Sequence, residues 1–427
     1  MVATIISSPL KGNIEAPASK SSMQRALAAA WICKKPMTIF GPGHSADDKA
    51  AMEIIRALGC RIEAREDNLL IYPATENKAT EINCGESGLS IRMFTPLAAL
   101  GDQPVKILGS GSLVNRPMDF FDKILPQLGV SIHSDQGHLP LLVKGPLKPA
   151  SIEVDGSLSS QFLTGLIMAY VAAGANNVSI KVRDLKSKPY IALTIDLIHE
   201  LGLAFVENRN FEEFVFSGPL PAKKEYYYRV EGDWSGGAFL LVAGAIAGPV
   251  TVRGLFLASL QADRAILDVL SLANASFAID TKGIHVRPVK MNAFQFDATD
   301  CPDLFPPIVA LASSCEGVST IRGVSRLAHK ESDRGKTLKE EFGKMGIQIE
   351  LDGDEMKIYG GAMKGGSLCS HYDHRIAMAC AVAALRADGS STIESADAIN
   401  KSYPDFFSDL EKLGANVSLS NKIKWHE

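Results

Sequence analysis

Apolar and polar positions along this chain switch between a helical and a strand-like period, and the switch recurs six times. Each recurrence closes a helical pattern on a short tag and then alternates strictly: RALGCRIEA, PQLGVSIHS, HELGLAFVE, SLANASFAI, GKMGIQIEL and EKLGANVSL. The turn residues are Gly59, Gly129, Gly202, Asn274, Gly346 and Gly414, spaced 68 to 73 residues apart. Glycine and asparagine tolerate the left-handed backbone that ends a helix. After each tag the pattern predicts strand, polar turn, strand, as in CRIEAREDNLLIYP and IQIELDGDEMKIYG. Before it come a helix apolar on most sides, as in SMQRALAAAWI, QFLTGLIMAYVAA, GGAFLLVAGAIAG and HRIAMACAVAALRA, and a strand such as MTIFG, VKILG, VTVRG, STIRG or STIES. A helix apolar nearly all round belongs in a core. One unit of about 70 residues thus reads core helix, strand, amphipathic helix, turn, strand, turn, strand, and is too small to stand alone.

Six units divide into three and three, with the join near KEYYYRVEGDWSGG. The opening segment TIISSPLKGNIEAP precedes the first complete unit and is expected to pair with the other half. That crossing would make residues 1–18 and 231–427 one domain and residues 19–230 the second.

Composition narrows the class without naming a chemistry. Of 427 residues, 44 are Lys or Arg and 48 Asp or Glu, for a net charge of -4. That balance argues against a nucleic-acid partner, which calls for a basic excess. No apolar run approaches the roughly 20 residues that span a membrane. The N-terminus lacks a basic and then apolar leader, and the seven cysteines form no CxxC motif. A cytoplasmic location with reduced thiols is the expectation.

Charge position says more. The six core helices open on ASKSSMQR, GESGLSIR, SLSSQF, GDWSGG, CPDLFPP and YDHR; the second helices open on HSADD, VNRPM, SKPY, QADR, KESDR and YPDFF. Ser and Asp there are ordinary N-caps. Lys20, Arg25, Arg92, Arg116, Lys330, Arg334, Arg375 and Lys401 are harder to account for, because the helix dipole disfavours cations at its start. The pattern points to a partner anion, and helix N-termini themselves attract one.

PASKSSMQRA, DGSLSSQFLTGLIMA, SKPYI, HKESDR and YDHRIAMA, with KSYPDFF near the end, resemble in order the motifs of the 5-enolpyruvylshikimate-3-phosphate synthase family. The resemblance implies an α/β fold, a two-domain inside-out α/β barrel of six repeats, three per domain, with the active site in the interdomain cleft. It implies transfer of the enolpyruvyl group of phosphoenolpyruvate to the 5-hydroxyl of shikimate 3-phosphate, releasing phosphate, by a monomer needing no cofactor or metal. By this resemblance Lys20, Ser21, Arg25, Ser159, Ser160, Gln161, Ser187, Tyr190, Asp303 and Lys330 bind shikimate 3-phosphate. Lys20, Gly88, Arg92, Arg116, Gln161, Arg334, His374, Arg375 and Lys401 bind phosphoenolpyruvate. Asp303, Glu331 and Lys20 are the implied proton carriers.

Some positions depart from the family pattern. Glu86, Ser87, Gly88 and Leu89 stand where Asn-Ala-Gly-Thr is common, Met93 where Pro is frequent, and Ala328 where many relatives have Arg, with Arg326 nearby. Leu89 and Met93 are expected to alter sensitivity to glyphosate, the family's inhibitor. Two other readings compete. A UDP-N-acetylglucosamine enolpyruvyl transferase would carry a reactive Cys in the loop that here reads LGSGSLVNRPMDF. A non-catalytic repeat scaffold with an anion pocket would need none of Lys20, Asp303, Glu331 and Lys401.

Overall fold

The computed structural model describes residues 1–74, 79–328 and 330–420; His329 of the HKESDR motif lies outside them. The chain separates into two compact units, Ala18–Glu231 and Met1–Pro17 with Gly232–Glu427. Among the described residues each unit holds three four-stranded sheets.

Every sheet is built alike. In the Ala18–Glu231 unit, Met37–Phe40 pairs in parallel with Tyr226–Arg229 and antiparallel with Asn68–Tyr72, which forms a hairpin with Arg61–Ala64. The sheets around Val105–Leu108 and Asn176–Arg183 repeat this order. The other unit does the same around Val250–Arg253 and Val318–Arg322. Its third sheet is completed from the far end of the chain, because Val2–Ile6 lies between Ser390–Glu394 and Asn416–Ser420, antiparallel to both. Gly12–Glu15 then supplies the parallel edge of the Val250–Arg253 sheet.

The tags behave as their residue types require. Gly59, Gly129, Gly202, Asn274, Gly346 and Gly414 all have positive φ, between 57° and 99°. The first five reverse the chain from a helix into a hairpin, and Gly414 leads into Asn416–Ser420, whose partner is Val2–Ile6. The apolar helices form the centre of each unit: Lys20–Ile32, Gly88–Ala98 and Ser160–Ala172 in one; Trp234–Ala247, Phe305–Ala312 and His374–Ala384 in the other. Side chains such as Phe94, Phe162, Phe239 and Phe305 are completely enclosed, each contributing about 1.5–3 kcal/mol. Gly165 allows the Gly88–Ala98 and Ser160–Ala172 helices to touch, since a Cβ there would come within 2.2 Å of the Arg92 carbonyl oxygen. Central helices thus carry their first turns, and the polar residues on them, on a rigid support.

Among the described residues no helix is long and apolar enough to cross a membrane.

Candidate active site

Caps come first, because they account for much of the polarity at the helix starts. Ser19, Ser45, Ser87, Ser159, Asp233, Asp333 and Asp373 each accept a backbone N–H from the first turn they precede. Ser159 is therefore a cap as well as a candidate ligand, and Ser160 is buried just behind it.

In the Ala18–Glu231 unit the candidate residues gather in three groups. Lys20, the first residue of its helix, places Nζ 3.1 Å from Oδ2 of buried Asp47. That aspartate, from the HSADD segment, was not among the expected site residues. Arg25 is 1% exposed and is used as a tie between helices. Its guanidinium donates to the carbonyls of Ser21 (2.9 Å) and Tyr190 (3.3 Å) and to the hydroxyls of Thr194 (2.9 Å) and Thr164 (3.4 Å). Burial, only partly offset by Tyr190 and Tyr228, lowers its pKa to about 10. Ser187 precedes the Lys188–Leu201 helix with φ 54°, a left-handed conformation for a non-glycine residue and a recurrent mark of functional loops.

The third group is the tightest. Arg92 donates to Gln161 Oε1 at 2.8 Å and lies over the Phe162 ring at 4.9 Å. A Cβ at Gly88 would fall 2.5 Å from an Arg116 nitrogen, 3.3 Å from an Arg92 nitrogen and 3.6 Å from Gln161 Oε1. Gly88 is thus what lets two guanidiniums and a carboxamide converge on one helix start. Glu86 lies against Gly111 in the loop leading to Arg116, and Leu89 and Met93 are buried within their helix.

The other unit holds an alternating cluster of charge. Asp303 accepts from Arg334 (2.7 Å) and Lys330 (3.2 Å) at Oδ1 and from Arg375 (3.1 Å) at Oδ2. Arg334, 1% exposed, also donates to Glu331 at 2.7 Å and to Asp373 at 2.8 and 3.2 Å. Lys401 Nζ lies 3.7 Å from Glu331 Oε1, and His374 Nδ1 3.8 Å from Asp373 Oδ1. Burial alone would raise the Asp303 carboxyl, but Arg375, Lys330 and Arg334 outweigh it and hold the group well below its usual range. Lys330 is lowered by burial against the pull of Asp303, with Arg334 and Arg326 adding to the effect. Ala328 is exposed beside it.

Two expectations about the cations change. Lys401 ends the short Ala396–Lys401 turn rather than opening a helix, a place where the dipole favours a cation. Lys20, Arg334 and Arg375 find partner anions in the protein itself: Asp47, the Asp303–Glu331–Asp373 set, and Asp303.

Asp263 was also not foreseen. It is fully buried, accepts from the Ser235 hydroxyl, and its other oxygen has no hydrogen-bond partner. Burial and then the Asp303 charge raise its carboxyl to about 7, against the pull of Arg375. Between pH 3.8 and about 7 the folded chain therefore holds a proton that the unfolded chain has lost, so this group's contribution to stability falls as pH rises. Asp263→Asn should flatten that dependence, so its melting temperature relative to the parent rises from pH 5 to pH 8. A difference that does not change with pH would count against it.

Glu340, Glu341 and His371 are the metal-like donor group found among the described residues. The Lys344 ammonium, 3.2 Å from Glu340 and 2.7 Å from Glu341, already supplies the cation there.

A family model described as EPSP synthase (3-phosphoshikimate 1-carboxyvinyltransferase) matches residues 5–410. The chain belongs to the EPSP synthase family. It is an enolpyruvyl transferase of the shikimate pathway. A 3-phosphoshikimate 1-carboxyvinyltransferase of Clostridium novyi (strain NT) is 35% identical over 425 residues, 97% of each chain. Another from Methanocella arvoryzae is 35% identical over 430 residues, 98% of this chain and all of the relative. In fold the chain is similar to an EPSP synthase structure from Acinetobacter baumannii, with a TM-score of 0.81 at 23% identity over 98% of this chain and 100% of that one. The enolpyruvyl transferase NikO from Streptomyces tendae matches at TM-score 0.73 and 18% identity over 98% of each chain. The α/β architecture of this EPSP synthase family member is therefore the inside-out repeat fold implied by its sequence motifs.

Proposed function

We propose that the chain joins phosphoenolpyruvate to shikimate 3-phosphate, with both charged clusters serving one reaction. Lys20, Ser21, Arg25, Ser159, Ser160, Gln161, Ser187 and Tyr190 of one unit, with Asp303 and Lys330 of the other, take shikimate 3-phosphate. Phosphoenolpyruvate goes to Gly88, Arg92, Arg116, Gln161 and Lys20, together with Arg334, His374, Arg375 and Lys401. Guanidinium forks suit its carboxylate, and the ammonium groups suit its phosphate.

The observation that carries this reading is the placement of Asp303 and Glu331 among four cations, Lys330, Arg334, Arg375 and Lys401. Asp303, held ionised by its neighbours, takes the proton of the attacking hydroxyl. Glu331 gives a proton to the methylene carbon as the new C–O bond forms. It takes one back from the resulting methyl group as the C–O bond to phosphate breaks, and Lys20 protonates the departing phosphate. Carboxylates thus face the cationic carbon and cations face the phosphate, an electrostatic division that stabilises both charges of the transition state.

The chain acts without a cofactor, as a 45.8 kDa monomer in the cytoplasm. Its seven free thiols, six of them buried, fit a reducing compartment. Mixing the chain with phosphoenolpyruvate and shikimate 3-phosphate should release inorganic phosphate, with light scattering on the same sample giving the monomer mass. UDP-N-acetylglucosamine in place of shikimate 3-phosphate should release none. Release only with the nucleotide sugar transfers the chain to that activity, and no release with either leaves a scaffold.

A further inference from the structure

Glu341 lies about two turns beyond Arg334 on the Arg334–Lys344 helix, with none of its side chain exposed. Its Oε2 accepts the Cys369 N–H at 2.8 Å. Its Oε1 lies 2.7 Å from Lys344 Nζ and 2.7 Å from His371 Nε2. A carboxylate beside an ammonium accepts, so the imidazole donates through Nε2–H. The His371 N–H in turn donates to Cys369 Sγ at 3.3 Å.

This grip falls on a strained piece of backbone. His371 and Tyr372 have φ of 50° and 58°, two consecutive non-glycine residues in the left-handed region. Such a conformation persists only where its surroundings hold it. Tyr372 is 73% exposed and its backbone N–H donates to Ser370 Oγ at 3.1 Å, so of the two side chains it is that of His371 that ties the pair to the Arg334–Lys344 helix. The next residue is Asp373, the cap of the His374–Ala384 helix and the partner of Arg334. Two residues further on, Arg375 reaches Asp303. The Arg334–Lys344 helix therefore holds segment 369–375 twice, by Arg334 on Asp373 and by Glu341 on Cys369 and His371, with the left-handed pair beside the second hold.

We propose that the Glu341–His371 hydrogen bond is a positioning device for Arg375, keeping the left-handed turn closed so that the guanidinium stays where phosphoenolpyruvate binds. The proposal rests on the substrate reading above for its kinetic consequence, and on the backbone geometry alone for its structural one. His371 touches no substrate; it acts through the turn.

His371→Ala and His371→Gln in the full chain test it, because glutamine can restore a donor to Glu341 and alanine cannot. Hydrogen–deuterium exchange across residues 369–375 should quicken in His371→Ala and return towards the parent in His371→Gln. In His371→Ala the KM for phosphoenolpyruvate should rise about tenfold, with kcat and the shikimate 3-phosphate KM within about twofold. His371→Gln should bring that KM back to within about threefold of the parent. A lowered melting temperature with both KM values unchanged makes His371 merely structural and overturns the proposal. So does failure of glutamine to rescue, or unchanged exchange in His371→Ala. If the parent chain releases no phosphate, the substrate reading falls while the exchange comparison still decides whether this bond holds the turn.

Discussion

Glu331→Gln is expected to lower kcat by about 100- to 10,000-fold, the usual contribution of a positioned acid–base group. The amide matches the carboxylate in size, so a lone oxygen can still accept from Arg334 at the 2.7 Å position. What it loses is the proton that must reach the methylene carbon and be recovered from the methyl. Shikimate 3-phosphate binding, followed by calorimetry, should stay within about threefold, because Glu331 is assigned no part in that step. Single-turnover phosphate release separates the two quantities. A variant whose kcat remains within about tenfold of the parent would remove Glu331 from the proton path.

The second large effect is on stability. Arg334→Leu removes a side chain that joins Asp303, Glu331 and Asp373. Burial opposes the Arg334 charge, but Asp373, Glu331 and Asp303 more than offset it and raise its pKa. Taking away one partner of a buried ion network leaves uncompensated charge, at a cost of about 3–5 kcal/mol. For units of this size that corresponds to a fall in melting temperature of about 10 °C. Arg334→Lys keeps the charge but not the planar fork, and should fall between the two. Calorimetry of the three chains at neutral pH decides it, and equal melting temperatures would show that the cluster contributes little to stability.

The repeat was legible because it is written in two different physical signals at once. Helical and strand periods change at residues whose backbone must turn left-handed, and Gly59 through Gly414 do so. Three of the parallel edge strands, Glu81–Asn83, Gln295–Asp297 and Ser367–Cys369, escaped because they are three residues long, too short to display a period. The candidate site was legible on its cationic side and much less so on its anionic side. An aspartate at a helix start reads as a cap, and Asp373 is one, accepting the Arg375 N–H at 3.0 Å while also binding Arg334. Asp47 and Asp263 are hidden in the same way, since their partners Lys20 and Ser235 are distant in sequence. The left-handed backbones of Ser187, His371, Tyr372 and Ser395 leave no mark in composition at all.

The Val2–Ile6 strand has a consequence for how the protein is born. It leaves the ribosome long before both its neighbours in the sheet, Ser390–Glu394 and Asn416–Ser420. At about 5–20 residues per second, the strand waits some tens of seconds for a partner. Ala18–Glu231 is contiguous and draws all the strands of its three sheets from within itself, so it can condense while translation continues. Order of synthesis thus opposes order of assembly. The nascent Val2–Ile6 strand must stay unpaired and out of other sheets until the sixth repeat arrives to enclose it.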